Sequence, residues 1–385
     1  MLPDLLAASP LAGPAVLALV AWLAVLLLPS RPYSTRERLE PGQSGTAELA
    51  ELDDVVVLIP ARNEADAIDR TVSALADQGP GLRAIVIDDQ SEDRTADVAR
   101  AAAERTGLAL DVIDGQPLPP GWSGKLWALQ QGFEHADRRY CIALDAEIVL
   151  APGMIAAMRD KARRESRAIV SIMAKLRCES FWEKLLVPPF IFFFKMLYPF
   201  ANVNLARRRT AAAAGGCILI ETDVLRQIGA YEAIRDALID DCTLAARVKR
   251  SGHSIWLGLS DAVTSLRRYP DLASFRRMVS RTAFTQLRYS ATLLVLVALV
   301  MILVFVVPVV SLARPYPLWL FGAAALSAMS AAYWPTIRFY GLNASWVLTL
   351  PVAAVLFLAM TLESALNYWR GVKAEWKGRR YAARG

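Results

Sequence analysis

An open α/β sheet tied to a membrane near both ends of the chain is the fold class that this 385-residue sequence predicts. Three observations carry that prediction. Short apolar, β-branched runs alternate with amphipathic stretches between residues 53 and 270, the pattern of strands buried on both faces by crossover helices. Those runs close on polar, often acidic residues, so a site is expected along the strand ends. Residues 5–30 carry no charge, and residues 291–368 carry only Arg314, Arg338 and Glu363; uncharged blocks of that length are able to cross a bilayer. A mean hydropathy of +0.32, with 55% hydrophobic and 21% charged residues, agrees.

In chain order, 5–30 is expected to be a transmembrane helix. The segment before it, MLPD, has no Lys or Arg, whereas Arg31, Arg36 and Arg38 follow it. That order is the reverse of a cleaved signal peptide, so a retained anchor with residue 31 onward in the cytoplasm is expected. Residues 31–52, with Pro32, Pro41, Gly42 and Gly45 and scattered charge, form a linker. Strands follow at 55–59 (ending at Pro60), 84–87, 109–113, 141–144, 168–173 and 217–220. Helices are expected at 65–78, 93–106, 124–136, 154–166, from Asp223 to about Gly229, and at 240–251. The aromatic segment 185–206 contains Pro188, Pro189 and Pro199, which argue against a straight span. It is either an interfacial segment at headgroup level or an aromatic core helix, and Arg207, Arg208 and Arg209 after it suit an anionic lipid surface. Residues 271–289 form a basic amphipathic helix, and 291–368 a membrane domain of about three hydrophobic segments near 291–312, 317–334 and 345–366. Small residues at 323–332 permit close helix packing there. One anchor plus three spans puts the basic tail 369–385 outside, against its charge, so one late segment is expected to be re-entrant or interfacial.

The net charge of +6 is not a nucleic-acid signature, since no zinc-finger or RNA-binding motif accompanies it and much of the surplus flanks apolar blocks. The four cysteines are isolated and there are two histidines, so any bound metal is held by oxygen, which suits Mg²⁺ or Mn²⁺. Neither a GxGxxG nor a P-loop is present.

Three acidic clusters stand where chemistry is expected. Asp88 and Asp89 end a strand; they either meet a nucleotide base or ribose, or make a turn with Ser91. Asp145 and Glu147 emerge after another strand, as two carboxylates able to hold a cation bridging two phosphates or as a solvated turn. Asp240 and Asp241 open a helix, where one is explained by capping and the other is a candidate general base. Lys125, at a helix start after a flexible stretch, is placed to meet a phosphate.

The blocks Val57–Glu64 (VLIPARNE), Val86–Ser91 with Thr95, Gly121–Ala128 (GWSGKLWA), Leu144–Glu147, Ala214–Cys217 and Asp240–Ala245 occur in one order. In that order the chain resembles the membrane-anchored branch of the family 2 glycosyltransferases, most of all the hopanoid-biosynthesis-associated (hopene-associated) ones, with ceramide glucosyltransferases as more distant kin. The resemblance implies a GT-A domain over 53–270 and inverting transfer from a nucleotide donor, a UDP-sugar, at a bacterial cytoplasmic membrane. It implies that Pro60, Arg62, Glu64 and Asp89 line the nucleotide pocket and Lys125 the donor side. Asp145 and Glu147 would bind the metal, Gly215 and Gly216 would form the loop beside the acceptor, and Asp241 would be the base. The family's DxD is here Asp145-Ala146-Glu147, and its QxxRW is not present as written; Arg281 is the candidate diphosphate contact. The acceptor implied is an amphiphilic lipid hydroxyl, and a hopanoid-related lipid is the one the resemblance suggests. The alternatives are a polyprenyl phosphate, a glycerolipid, or a non-catalytic membrane scaffold of the same fold.

Overall fold

The computed structural model describes residues 9–42, 50–372, 375–376 and 379–380. Parts of the expected anchor (5–8), linker (43–49) and basic tail, including Lys373, Lys377 and Arg384, lie outside the described residues. An eight-stranded sheet in the order β3-β2-β1-β4-β7-β6-β8-β5 forms the centre of the α/β part. Its strands are β1 (Val55–Ala61), β2 (Arg83–Asp88), β3 (Ala109–Asp114), β4 (Tyr140–Leu144), β5 (Ile148–Leu150), β6 (Ile169–Lys175), β7 (Cys217–Glu221) and β8 (Ile255–Ser265). The half formed by β3, β2, β1 and β4 is parallel, as the alternation predicts. The other half is mixed, because β7 runs antiparallel to both β4 and β6.

Strand β1 shows why these runs have no polar positions. Val55, Val57 and Ile59 face a core closed by helices α2 (Ile68–Ala76), α3 (Thr95–Thr106) and α5 (Met154–Glu165). Val56 and Leu58 face a second core closed by α4 (Gly124–Glu134), α6 (Phe181–Leu197), α9 (Asp240–Arg250) and α10 (Leu272–Gln286). The remaining short helices are α7 (Phe200–Val203) and α8 (Thr222–Gln227). The strand does not end at Pro60 but runs through it, paired with β2 up to Ala61↔Asp88. Pairing with β4 stops at Leu58↔Ala143, so the side next to β4 has no ladder at Pro60.

The aromatic segment is a helix, α6. Ser180 and Glu183 make a reciprocal capping box, and Pro188 and Pro189 lie buried inside the helix. Phe192 and Phe193 pack on Trp22, Tyr333, Phe305 and Phe357, so this face meets the membrane helices and not lipid headgroups. Lys195, the one charge of the segment, is buried and donates to the Tyr33 carbonyl at 3.2 Å.

The amino-terminal helix α1 covers Ala12–Leu27. At 16 residues it rises about 24 Å, short of the roughly 30 Å hydrocarbon core, so the described helix is shorter than the expected 5–30 span. Two later helices are long and apolar enough to cross a membrane: α11 (Ala291–Leu312) and α13 (Ala344–Trp369). Between them lies α12 (Leu318–Phe339). The small-residue packing expected at 323–332 extends to Gly322. A Cβ there would stand 2.6 Å from the Pro308 carbonyl and 2.9 Å from the Ser311 Cβ. Gly322→Ala is therefore expected to force α11 and α12 apart and to cost about 1–3 kcal/mol, measurable as a lowered Tm in detergent.

Ala12, Ala15 and Leu318 cluster together, so α1 begins where α12 begins. Phe339, at the far end of α12, lies under Arg38 and Lys175 of the α/β part. Helix α13 then starts with Trp346 against Phe181 of α6 and finishes with Tyr368 and Trp369 against Phe284 of α10. Both ends of α13 thus meet the α/β side.

Candidate active site

Four separate stretches of chain meet at the ends of the central strands. Ser123 caps α4, accepting from the Leu126 N–H at 3.4 Å, and this sets Lys125 in the first helical turn. The Lys125 Nζ lies 2.6 Å from Asp145 Oδ1 and 3.9 Å from Asp240 Oδ2, and it donates to the Gly215 carbonyl at 3.1 Å. Asp145 follows β4, and its N–H donates to the Gly216 carbonyl at 3.0 Å. Asp241 sits in the first turn of α9. Its Oδ1 accepts from the Cys242 N–H at 2.6 Å and its Oδ2 from the Gly215 N–H at 2.8 Å. Lys125, Asp145, Gly215, Gly216, Asp240 and Asp241 are therefore one site, although the chain spreads them from 125 to 241.

The charges oppose one another. Burial pulls the Lys125 ammonium down, but Asp145, Asp240 and Asp241 outweigh it and hold its pKa above the ordinary lysine range. Burial, and next the adjacent Asp240, push Asp241 up to about 7, against the opposing Cys242 N–H, Lys125 and Gly215 N–H. A carboxyl poised near neutrality is suited to accepting a proton.

The glycines have a steric reason. A Cβ on Gly215 would lie 3.2 Å from Asp241 Oδ2 and 3.5 Å from Lys125 Nζ. Gly215→Ala is expected to leave Tm nearly unchanged but to displace Asp241 by a few tenths of an ångström. A fall of about tenfold in kcat at near-constant donor KM would show it.

The other expected residues surround this centre. Glu147 receives Arg267 at 3.4 Å, and its carbonyl accepts the Leu266 N–H at 2.8 Å. Asp88 takes the turn role, its Oδ1 accepting from the Ser91 N–H at 3.0 Å, while Asp89 is buried next to it. Arg62 donates to the Asp89 and Gln90 carbonyls at 2.6 and 2.9 Å and so braces the ends of β1 and β2. The Glu64 N–H donates to Thr95 Oγ1 at 2.8 Å, and Pro60 is buried in β1. Arg281 lies farther off, on the wall of a large cleft.

Asp145 and Glu147 supply hard oxygen donors from one turn, at side-chain exposures of 33% and 18%. Among the described residues no group of three or more His, Cys, Asp or Glu is placed to hold a metal. A cation here would complete its shell with phosphate oxygens and water, which fits Mg²⁺ or Mn²⁺. The sequence reading missed Arg267, the partner of Glu147, and Ser171. The Ser171 hydroxyl accepts from the Ala214 N–H at 2.8 Å and fixes the loop leading to Gly215. Assigning β8 would have exposed Arg267, which lies two residues past that strand's end.

The stretch of sequence that holds Lys125, Asp145 and the Gly215 loop matches a known family model. Residues 56–229 match Glycosyl transferase family 2. The chain is 30% identical over 175 residues to the undecaprenyl-phosphate 4-deoxy-4-formamido-L-arabinose transferase of Pseudomonas aeruginosa, covering 44% of this chain and 46% of that protein. It is 30% identical over 120 residues to the 4,4'-diaponeurosporenoate glycosyltransferase of Staphylococcus haemolyticus, covering 31% of each. The chain thus spans less than half the length of these curated relatives. The chain is similar in fold to the mannosyltransferase PcManGT of Pyrobaculum calidifontis, solved in complex with GDP-Man and Mn²⁺. That likeness has a TM-score of 0.52 at 17% identity and covers 92% of this chain and 98% of that one.

Proposed function

We propose that the chain is an inverting glycosyltransferase with a GT-A domain over 53–270. In this reading it moves a sugar from a nucleotide donor to a lipid acceptor at the cytoplasmic face of a bacterial membrane. The observation that carries it is the convergence of Lys125, Asp145, Asp240 and Asp241 on the Gly215 loop. Lys125 and Arg281 approach the donor's diphosphate. Asp89, with Arg62 and Glu64 bracing its loop, meets the base or ribose. Asp145 and Glu147 would hold Mg²⁺ or Mn²⁺, which supplies charge neutralisation on the departing nucleoside diphosphate.

The acceptor we favour is a polyprenyl phosphate. Support comes from the relative named for undecaprenyl phosphate and from the membrane helices packed on the α/β part. A second reading, a lipid hydroxyl of the hopanoid kind, is favoured by Asp241, because a hydroxyl needs a base and a phosphate does not. The test is to incubate the detergent-solubilised full chain and Mn²⁺ with UDP- and GDP-sugars and either undecaprenyl phosphate or extracted membrane lipids. Mass spectrometry of the lipids is expected to show a glycosylated polyprenyl phosphate. A glycosylated neutral lipid instead would select the second reading, and no product with any pair would favour a scaffold.

A further inference from the structure

A cleft of about 1460 Å³ lies between α9, α10 and the end of α13. Seven arginines line it against two acidic side chains, Asp236 and Glu363. Arg267 is paired with Glu147, and Arg235 stands 3.9 Å from Glu232. Among the described residues, no carboxylate lies within ion-pair distance of Arg250, Arg268, Arg277 or Arg288. Guanidinium groups gathered in one cavity repel each other unless an anion sits among them.

Three further features describe that anion. The walls include Ile239 and Cys242, which flank Asp240 and Asp241, so the cleft opens beside the candidate base. At the other end the lining is aromatic: Phe284, Tyr289 and Tyr368, with the two tyrosine rings stacked at 4.5 Å, lead to the start of α11. Arg288 and Tyr289 both have positive φ, 52° and 57°. That conformation is costly for residues other than glycine, and here it belongs to two side chains lining the cleft. One end of the cavity thus suits a phosphate and the other an apolar chain.

We propose that this cleft seats a phosphate-bearing lipid headgroup on Arg277 and Arg288, with the lipid chain leaving past Phe284, Tyr289 and Tyr368. The assignment deepens the proposed transfer, since it gives the acceptor's charge a place next to the Gly215 loop. Guanidinium groups grip a phosphate bidentately, so the charge and not the apolar tail provides the discrimination.

The test is equilibrium binding to the full chain in detergent, without donor or turnover. Undecaprenyl phosphate, undecaprenol, phosphatidylglycerol and inorganic phosphate are the probes. Undecaprenyl phosphate is expected to bind at least about tenfold more tightly than undecaprenol, a difference of one charge-assisted contact or more. R277Q/R288Q is expected to lose about tenfold or more of that affinity while UDP binding stays within about twofold, and R277K/R288K to recover part of it. Phosphatidylglycerol binding with the same arginine dependence would support the seat and assign it to phospholipid. Equal binding of alcohol and phosphate, unchanged binding by the glutamine variant, or inorganic phosphate binding as tightly as the lipid would each overturn the proposal. Arginine-dependent lipid binding without any product would leave the seat standing and count against the proposed transfer alone.

Discussion

Asp145→Asn is expected to lower kcat/KM for the nucleotide sugar by roughly three orders of magnitude while leaving the fold intact. A cation that neutralises a departing diphosphate contributes several kcal/mol to the transition state, and about 4 kcal/mol corresponds to 10³ in rate. Asp145 and Glu147 are the two carboxylates of the β4 turn, so in the proposed site losing one charge would leave a cation half its protein ligands. Stability is insulated from the change: Lys125 loses a partner at 2.6 Å but keeps the Gly215 carbonyl at 3.1 Å and Asp240 at 3.9 Å. Asp145 is also one-third exposed, so little desolvation is stranded. The binding readout separates a metal role from a merely structural one. UDP affinity of the wild type is expected to rise with Mn²⁺ and fall with EDTA, whereas the variant's affinity is expected to be the same in both. A variant that still binds UDP in an Mn²⁺-dependent way would remove Asp145 from the metal site.

The parallel half of the sheet was legible in the sequence because burial on both faces leaves no polar position in β1, in β4 or in the 84–87 interior of β2, and the runs stand out without help from periodicity. Strand β8 was not legible. Its first half, Ile255–Ser260, is buried, but from Asp261 the strand becomes partly exposed, and its pairing with β6 slips between Met173 and Lys175. Helix α6 was obscured for a different reason. Two adjacent prolines normally end a helix, yet here the capping box at Ser180 and Glu183 starts it firmly and packing on both sides holds the interior. At the site, each acidic cluster was visible by its position at a strand end or helix start. What no local pattern carries is the partner of each charge: Lys125 to Asp145 and Glu147 to Arg267 are set by tertiary approach. The same holds for α13, whose composition describes an apolar helix but does not show that its ends pack on Phe181 and Phe284.

The other large effect is expected at Asp241. Asp241→Asn keeps the side chain's shape and its acceptor for the Gly215 or Cys242 N–H but removes the proton acceptor. With a lipid hydroxyl as acceptor, the rate is expected to fall by about 100-fold or more, the range that general-base catalysis supplies. With a polyprenyl phosphate, already ionised, the fall is expected to be only a few-fold. Measuring both acceptors on one variant therefore distinguishes the two readings of function without knowing the sugar. The pH dependence has a definite sign. Asp241 is pushed up to about 7, by burial first and Asp240 second, and the base form is the ionised one. Hydroxyl transfer should then rise with pH up to about 7 and level off above it, a limb absent from the phosphate reaction. Stability runs the other way. The folded chain binds this proton more tightly than the unfolded chain, so the group's contribution is present at low pH and lost as pH rises from the ordinary aspartate range through about 7. Asn cannot ionise, so the variant's Tm is expected to exceed that of the wild type above pH 7 and to converge with it only below about pH 4. Such a trade of stability for activity marks a charge kept in place for chemistry. A variant no more stable than the wild type at pH 8 would mean that Asp241 ionises there without cost, and its role as a poised base would fail with it.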